Sequence, residues 1–565
     1  MKKFKRAAIV AMAIMTAFGG VACGGGENKE VDVNKTQLVI GYKSAGYGNA
    51  WVQNAVEMFE KKFANYSFEE GKTGVQVWVN YGKDEFSDWT FYNSYQSRNE
   101  DMYINATIWY DMYEDSHIWR LDDLVEEPLT EFGETKSIKD KILPWVERGS
   151  RWDQGVWSVG TVSSMFGLTV YDVDLFEEKG YYMAEGGGWT KGTAGDKAKT
   201  KGFDGIAGTY DDGLPVTEDE YFSLLNRIKM RGDIPVTWTG INSSYPIAWA
   251  WMNYLNYDDG KAQEIWNNGY GEYTLLHKNA DGSYSLDDTP TVFDGAKNFY
   301  ENARVPGKLE ALRIAYKLVK DQSNYSTEAY KTTQTHIEAQ NEYLTSISAE
   351  QRIAMIWEGC WWETEADDTF TRMAKNDASL SKHNRRFGVM PAIKPNGNTA
   401  TKHTYNISQG GVWIPAKTAR KGGGAFEASK KFCKMMGSDE FLNMFTKTTN
   451  IPTAYDIEYT QDTYDSLTYF GKQLMEIVQD KNNTHAFTNE FRQFHPAFQY
   501  NRSYPQAFSA NVHDPNSTAD STSGPLEFFR FDTNNRTPEY YYDCMYKYAT
   551  MVYDEDFAEK FGARK

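Results

Sequence analysis

The chain has 565 residues, 24 % of them charged and 15 % aromatic, and a formal net charge of −18. Its length allows two or three core-forming units. Its acidity disfavours nucleic acid and anionic membrane surfaces as partners, because both are bound through basic patches. The four cysteines, Cys23, Cys360, Cys433 and Cys544, form no C-x-x-C pair and no ligand-like cluster with histidine, so neither a metal site nor a cofactor is expected.

The first residues direct the chain out of the cell. Lys2, Lys3, Lys5 and Arg6 precede an apolar run from Ala7 to Ala22. A basic start, a short apolar core and small residues before a cut define a secretory signal, here residues 1–22. The run is shorter than the roughly 20 apolar residues that span a bilayer. Removing those four cations, with no acid among them, takes the net charge from −18 to −22. Val21-Ala22-Cys23 followed by three glycines resembles a bacterial lipoprotein junction, in which the Cys23 thiol is acylated and becomes the new N-terminus. Gly20 stands where that pattern has a large aliphatic residue. Residues 23–35 read as a flexible tether.

Thr36–Gly41 is an apolar run that predicts a buried strand, and Trp51, Val52, Val56, Phe59 and Phe63 recur at helical spacing. Val75–Tyr81 alternates as a second strand. Strand, helix, strand in that order predicts a parallel α/β sheet. Another strand begins at Asp101, and Trp119–Leu124 closes in a helix or turn. Val156–Val159 and Phe166–Tyr171 read as two strands joined by a turn, and Asp174–Gly180 as a short helix with a glycine stop. Residues 185–213, rich in Gly and Asp, read as an irregular insertion. Thr217 and Glu220 form a capping box for a helix whose apolar face is Tyr221, Leu224, Leu225 and Ile228. Helical periodicity dominates from 290 to 350, and a helix pair covers Phe426 to Phe445. The tail after residue 485 is loop-rich and aromatic.

No G-x-S-x-G, H-E-x-x-H or G-x-x-x-x-G-K-[ST] occurs, so the motifs of a serine hydrolase, a zincin or a phosphate loop are missing and the chain reads as a non-enzyme. Four segments carry a resemblance instead. Val39-Ile-Gly-Tyr-Lys-Ser-Ala-Gly-Tyr-Gly48, followed by Trp51 and Phe59-Glu-Lys-Lys62, resembles the opening of the carbohydrate-type extracellular solute-binding proteins, the maltose-binding-protein-like family. Gly167-Leu-Thr-Val-Tyr-Asp-Val-Asp-Leu-Phe176 is similar to that family's strand-then-helix segment ending in Y-N-x-D-L-F. Ala354-Met-Ile-Trp-Glu-Gly-Cys-Trp361 resembles its A-M-x-x-x-G-x-W. Phe387-Gly-Val-Met-Pro391, Gly410-Gly-Val-Trp-Ile-Pro415, Ala428-Ser-Lys-Lys-Phe432 and Ser438-Asp-Glu440 are similar to its crossing strands and C-terminal helices.

The resemblance implies a two-lobed α/β fold of periplasmic-binding-protein type II with several crossings between lobes. Lobe 1 is expected over 36–160 and 386–455, and lobe 2 over 161–385, completed by 456–565 with a C-terminal extension. It implies a monomer whose cleft takes a sugar or oligosaccharide at the strand ends. Hinge closure would then present the closed form to the transmembrane subunits of an ABC permease at the outer face of the membrane. By the same resemblance Trp361 is the aromatic that stacks on a sugar ring. Further ligand contacts are expected at Tyr47 and Trp51, at Trp109, Tyr110 and Asp111, at Ser163 and Ser164 in the first crossing, and at Trp249 and Trp251. The competing assignments are core packing for the aromatics, a turn for the serines and a solvated charge for Asp111. Three other functions stay open: a receptor for peptides or other polar solutes, a glycan-adhesion lipoprotein without a permease, and a glycan-degrading enzyme.

Overall fold

A computed structural model describes residues 30–487, Phe529 and 537–552, apart from Ala45, Lys83, 87–88, 109–111, 113–115, 146–150, 153–154, 157–158, Ser243, 295–297 and Thr332. The chain divides into two units. Unit 1 comprises Met1–Ser163, Gln409–Thr449 and Thr453–Thr463; unit 2 comprises Ser164–Ser408, Asn450–Pro452 and Tyr464–Lys565. The signal, Cys23 and all but the last residues of the tether lie outside the described residues.

In unit 1, β1 (Thr36–Lys43) pairs in parallel with β2 (Val75–Gly82) on one side and β3 (Met102–Ile104) on the other. Helix α1 (Ala50–Lys62) makes the connection. Its apolar positions Trp51, Val52, Ala55, Val56 and Phe59 fall on one face, and that face is buried, as the 3.6-residue period requires. Lys61 and Lys62 sit in its last turn, where the helix dipole favours cations.

Where the sequence predicts two strands and a turn, the structure has one 14-residue strand, β4 (Val159–Asp172), which passes from unit 1 into unit 2 between Ser163 and Ser164. Its glycine is there for close packing. Gly167 has φ 84°, and an added Cβ would lie 2.6 Å from the carbonyl oxygen of Ala248. Asp172 caps α2 (Val173–Lys179) by accepting from the Leu175 N–H, and Gly180 ends it in the left-handed region. The capping box of Thr217 and Glu220 forms at the start of α3 (Glu218–Met230). Then follow β5 (Ile234–Thr237), α4 (Ser244–Leu255), α5 (Pro306–Lys320), α6 (His336–Thr345), β6 (Ile353–Gly359) and the single turn α7 (Trp362–Glu365). Strand β6 pairs antiparallel with β4 and parallel with β5, and every residue in it is buried. Asp172, also buried, accepts from Arg352 at 2.8 Å and Arg385 at 2.7 Å, which meets the demand of a buried carboxylate for charged partners.

The expected return to the first lobe at residue 386 is corrected. Strand β7 (Phe387–Met390) pairs antiparallel with β4 on the edge opposite β6, and 386–408 stay in unit 2. In β8 (Thr404–Trp413), the first residues pair in parallel with β9 (Thr484–Phe487), and Val412 and Trp413 pair with β3. The chain therefore changes unit between Ser408 and Gln409. Helices α8 (Gly424–Met436) and α9 (Asp439–Thr449) belong to unit 1. Residues 456–463 also belong there rather than to lobe 2, because Thr460 N–H and Thr463 Oγ donate to Asn443 of α9 at 2.9 and 2.8 Å. Helix α10 (Tyr469–Gln479) and α11 (Pro538–Val552) lie in unit 2, where Glu539 of α11 pairs with Arg313 of α5 at 2.9 Å.

The insertion over 185–213 is irregular but anchored. Buried Asp211 accepts from the Phe203 N–H at 2.6 Å and from Thr209 Oγ1 at 2.7 Å, and pairs with buried His403 at 3.1 Å. Cys360, Cys433 and Cys544 are buried and form no disulfide. Among the described residues no helix is long and apolar enough to cross a membrane.

Candidate functional site

The site is built at the C-terminal end of β6, where an open α/β sheet presents its loops. Register with β4 shifts between Glu358 and Gly359, leaving Gly359 opposite Phe166. Cys360 is then tied back to β4: its N–H donates to the Met165 carbonyl at 2.9 Å, and its thiol accepts from the Met165 N–H at 3.3 Å. Burial pushes that thiol up to about 12, so it is an inert packing group. Trp361 follows and starts α7, its carbonyl taking the N–H groups of Thr364 and Glu365 at 3.0 and 3.2 Å. Its indole folds back over Gly359, where an added Cβ would lie 2.4 Å from the ring. Only glycine leaves that space.

Three aromatic side chains meet here. The Trp361 ring lies 5.5 Å from Phe166 at 31°, and Phe166 meets Tyr245 of α4 edge-on at 5.0 Å and 90°. The indole also hydrogen-bonds the Tyr245 hydroxyl. Tyr245 is buried, whereas Trp361 and Phe166 are only half-buried. Trp361 and Phe166 thus form a packed aromatic pair that stays partly accessible.

Carboxyl groups border it. Gln340 of α6 donates from Nε2 to Glu358 at 3.1 Å and to Glu365 at 2.9 Å. His336 Nε2 stands 3.8 Å from Glu365. Burial, and then the nearby Glu365, hold the Glu358 carboxyl well above the usual range. Burial first, with Glu358 and Glu365 adding to it, likewise raises the Tyr245 hydroxyl. Glu365 is half-buried, and its charge acts on the Tyr245 hydroxyl. Among the described residues no cluster of His, Cys, Asp and Glu has the arrangement of a metal site.

Glu363, on the other side of the same turn, is buried, and burial raises it to about 7. The fold therefore favours its protonated form. That contribution to stability is complete below the ordinary carboxylate range near 4.5 and is lost as pH rises through 7. An offset of this size is worth on the order of 3 kcal/mol. Glu363→Gln, which mimics the neutral carboxyl, is expected to melt like the parent at pH 5 and above it at pH 8.5. Differential scanning calorimetry across that range checks this, and parallel melting curves would refute it.

No protein-family model matches the chain, and no curated protein does. Solved structures do. A chitin oligosaccharide binding protein aligns at a TM-score of 0.54 and 14 % identity, over 92 % of this chain and 100 % of its own. A probable secreted solute-binding lipoprotein from Streptomyces coelicolor aligns at 0.53 and 11 %, over 92 % and 99 %. The GacH receptor of Streptomyces glaucescens, solved unliganded and with acarbose, aligns at 0.52 and 12 %, again over 92 % and 99 %. The chain has the two-lobed α/β fold of the solute-binding proteins.

Within this solute-binding fold the expected contact residues separate. Trp361 stands half-exposed at a strand end. Trp51 does not face a ligand: it is fully buried, donates from Nε1 to the Tyr42 hydroxyl at 3.1 Å and packs on Phe445 at 5.1 Å, because its position belongs to the apolar stripe of α1. Trp249 is likewise core, stacked 4.4 Å from Trp357, and Trp251 is buried on the same helix, nearly all of which is covered. Tyr47 is buried at 5 % exposure in the turn before α1. Ser163 and Ser164 lie in β4 at the unit boundary, and their side chains are outside the described residues, as are Trp109, Tyr110 and Asp111. Phe166, Tyr245, Gln340 and Glu365 were not singled out from sequence. They come from segments tens to hundreds of residues apart, joined only by strand register and helix packing.

Proposed function

We propose that this chain is an exported, lipid-anchored receptor that captures a sugar or oligosaccharide and passes it to an ABC importer, without chemical change to the ligand. One observation carries the choice of ligand: the half-buried Trp361, packed on Phe166 and hydrogen-bonded to Tyr245, with the acid Glu365 on the same turn. A sugar ring has an apolar C–H face and a rim of hydroxyls, and this arrangement offers a counterpart to each. Fold similarity to proteins described as binding chitin oligosaccharide and acarbose agrees with it. The two units are read as lobes that close on the ligand, the closed form being the one the permease accepts.

The test is a thermal-shift screen against mono- and oligosaccharides, since a ligand that binds only the folded state raises the melting temperature by mass action. Sugars are expected to shift it and to be recovered intact. Response to peptides alone would replace the ligand class, and recovery of cleaved saccharide would make the protein an enzyme. The anchor has its own test. Cys23→Ser is expected to move the protein from the membrane fraction to the soluble fraction or to block its processing, read by fractionation and intact mass. Normal processing with membrane retention would remove the lipid from this reading.

A further inference from the structure

The turn that opens with Trp361 carries a second buried group on its other side. Glu363 Oε2 accepts from Asn450 Nδ2 and from Thr468 Oγ1, each at 2.7 Å. Asn450 also donates to Thr468 Oγ1 at 2.7 Å and accepts from the Thr468 N–H at 3.0 Å, so both ends of its amide are engaged. Thr468 in turn caps α10. Three elements are knotted together: α7, residue 450 and the start of α10. Packing there is tight, since a Cβ added to Gly471 would lie 2.1 Å from Asn450 Oδ1.

Asn450 holds a particular place in the chain. It opens Asn450–Pro452, three residues of unit 2 lying between α9 and Thr453 of unit 1, and its φ is 63°. Glycine would meet that left-handed backbone at less strain, so an asparagine there is explained by what its amide holds. The other oxygen of Glu363, Oε1, is buried without a hydrogen-bond partner, which detracts from stability. An apolar residue would serve packing better. Stability alone therefore does not account for this pair.

We infer that Glu363 and Asn450 are a positioning pair: they fix the turn bearing Trp361 to the point where the chain passes between units, so that the indole and the crossing segment move as one. This rests on the reading of Trp361 as the ligand-stacking residue of a closing receptor. Binding of a ring to the indole then biases the path of residues 450–452, and the state of that segment biases the indole in return.

The full-length protein with Asn450→Gly tests it, because glycine keeps the backbone conformation and removes the amide. Hydrogen exchange of the Thr364, Glu365 and Ala366 amides is measured without ligand, and affinity is measured by calorimetry against maltotriose, chitotriose and raffinose. The α7 amides are expected to exchange at least about tenfold faster. Affinity for whichever of these sugars binds the parent is expected to fall at least about fivefold. Glu363→Gln, which keeps the acceptor oxygen, is expected to retain both. Unchanged α7 exchange overturns the inference, and so does faster exchange with unchanged affinity. If the parent binds none of the three sugars, the ligand reading fails by itself and the exchange result alone decides the coupling. Should Asn450→Gly not fold, Glu363→Leu is read in the opposite direction: faster exchange at Asn450 and Ile451 supports the pair, and parental exchange refutes it.

Discussion

Trp361→Ala is expected to weaken sugar binding by at least about tenfold while leaving the melting temperature close to that of the parent. Placing an indole against one face of a pyranose buries roughly 80–100 Å² of apolar surface, worth on the order of 2 kcal/mol at about 25 cal/mol per Å². A micromolar complex corresponds to roughly −8 kcal/mol, so one ring supplies about a quarter of the total. The side chain is half-buried, and it touches Gly359, Phe166 and Tyr245. Calorimetric affinity and melting temperature of the same protein decide the matter. A sharp fall in melting temperature with parental affinity in the surviving folded fraction would make Trp361 a core residue and remove the site.

What the sequence discloses about this protein depends on how local the determinant is. The helix after β1 is legible because Trp51, Val52, Val56 and Phe59 repeat at its period, and the start of α3 because Thr217 and Glu220 satisfy each other three residues apart. Both are properties of consecutive residues. The single strand over 159–172 is not, because its extended course is held by pairing with β6 and β7, both far along the chain. Likewise the return to unit 1 is misplaced by sequence, since β7 is assigned by its pairing with β4, more than 200 residues away. The site divides on the same principle. Trp361 is picked out by a contiguous segment, whereas Phe166 becomes its neighbour only through the β4–β6 register. Trp51, Trp249 and Trp251 mislead because tryptophan is equally at home stacking on a ligand and filling a core. Composition does not separate the two uses, and burial does.

Trp357 lies four residues before Trp361, and Trp357→Ala is expected to have the opposite profile. Its indole is fully buried in the middle of a column of rings. Trp238 lies 4.4 Å away at 14° and Trp249 4.4 Å away at 16°; Tyr325 packs on the first at 4.7 Å and Tyr221 on the second at 6.0 Å, both tilted by 35°. The column joins β6, α3, α4 and the residue that follows β5, so stacked aromatics hold β6 in unit 2 in addition to its strand partners. Truncating a buried tryptophan costs about 3–5 kcal/mol because the neighbours only partly collapse into the space. Two near-parallel ring contacts are lost here at once, each worth about 0.5–1.5 kcal/mol beyond area, which places the substitution at the upper end. A fall in melting temperature on the order of 10 °C follows for a unit of this size. Trp357→Phe keeps a ring between the two indoles and is expected to recover roughly half of the loss. Sugar affinity of the folded fraction should change less than in Trp361→Ala, because the indole at the strand end is fixed by Gly359, Phe166 and Tyr245 rather than by the column. Urea unfolding followed by circular dichroism, with calorimetry on the same samples, separates the two effects. A Trp357→Ala protein as stable as the parent, or one that keeps its stability and loses affinity, would mean that the column is not what holds β6 in place.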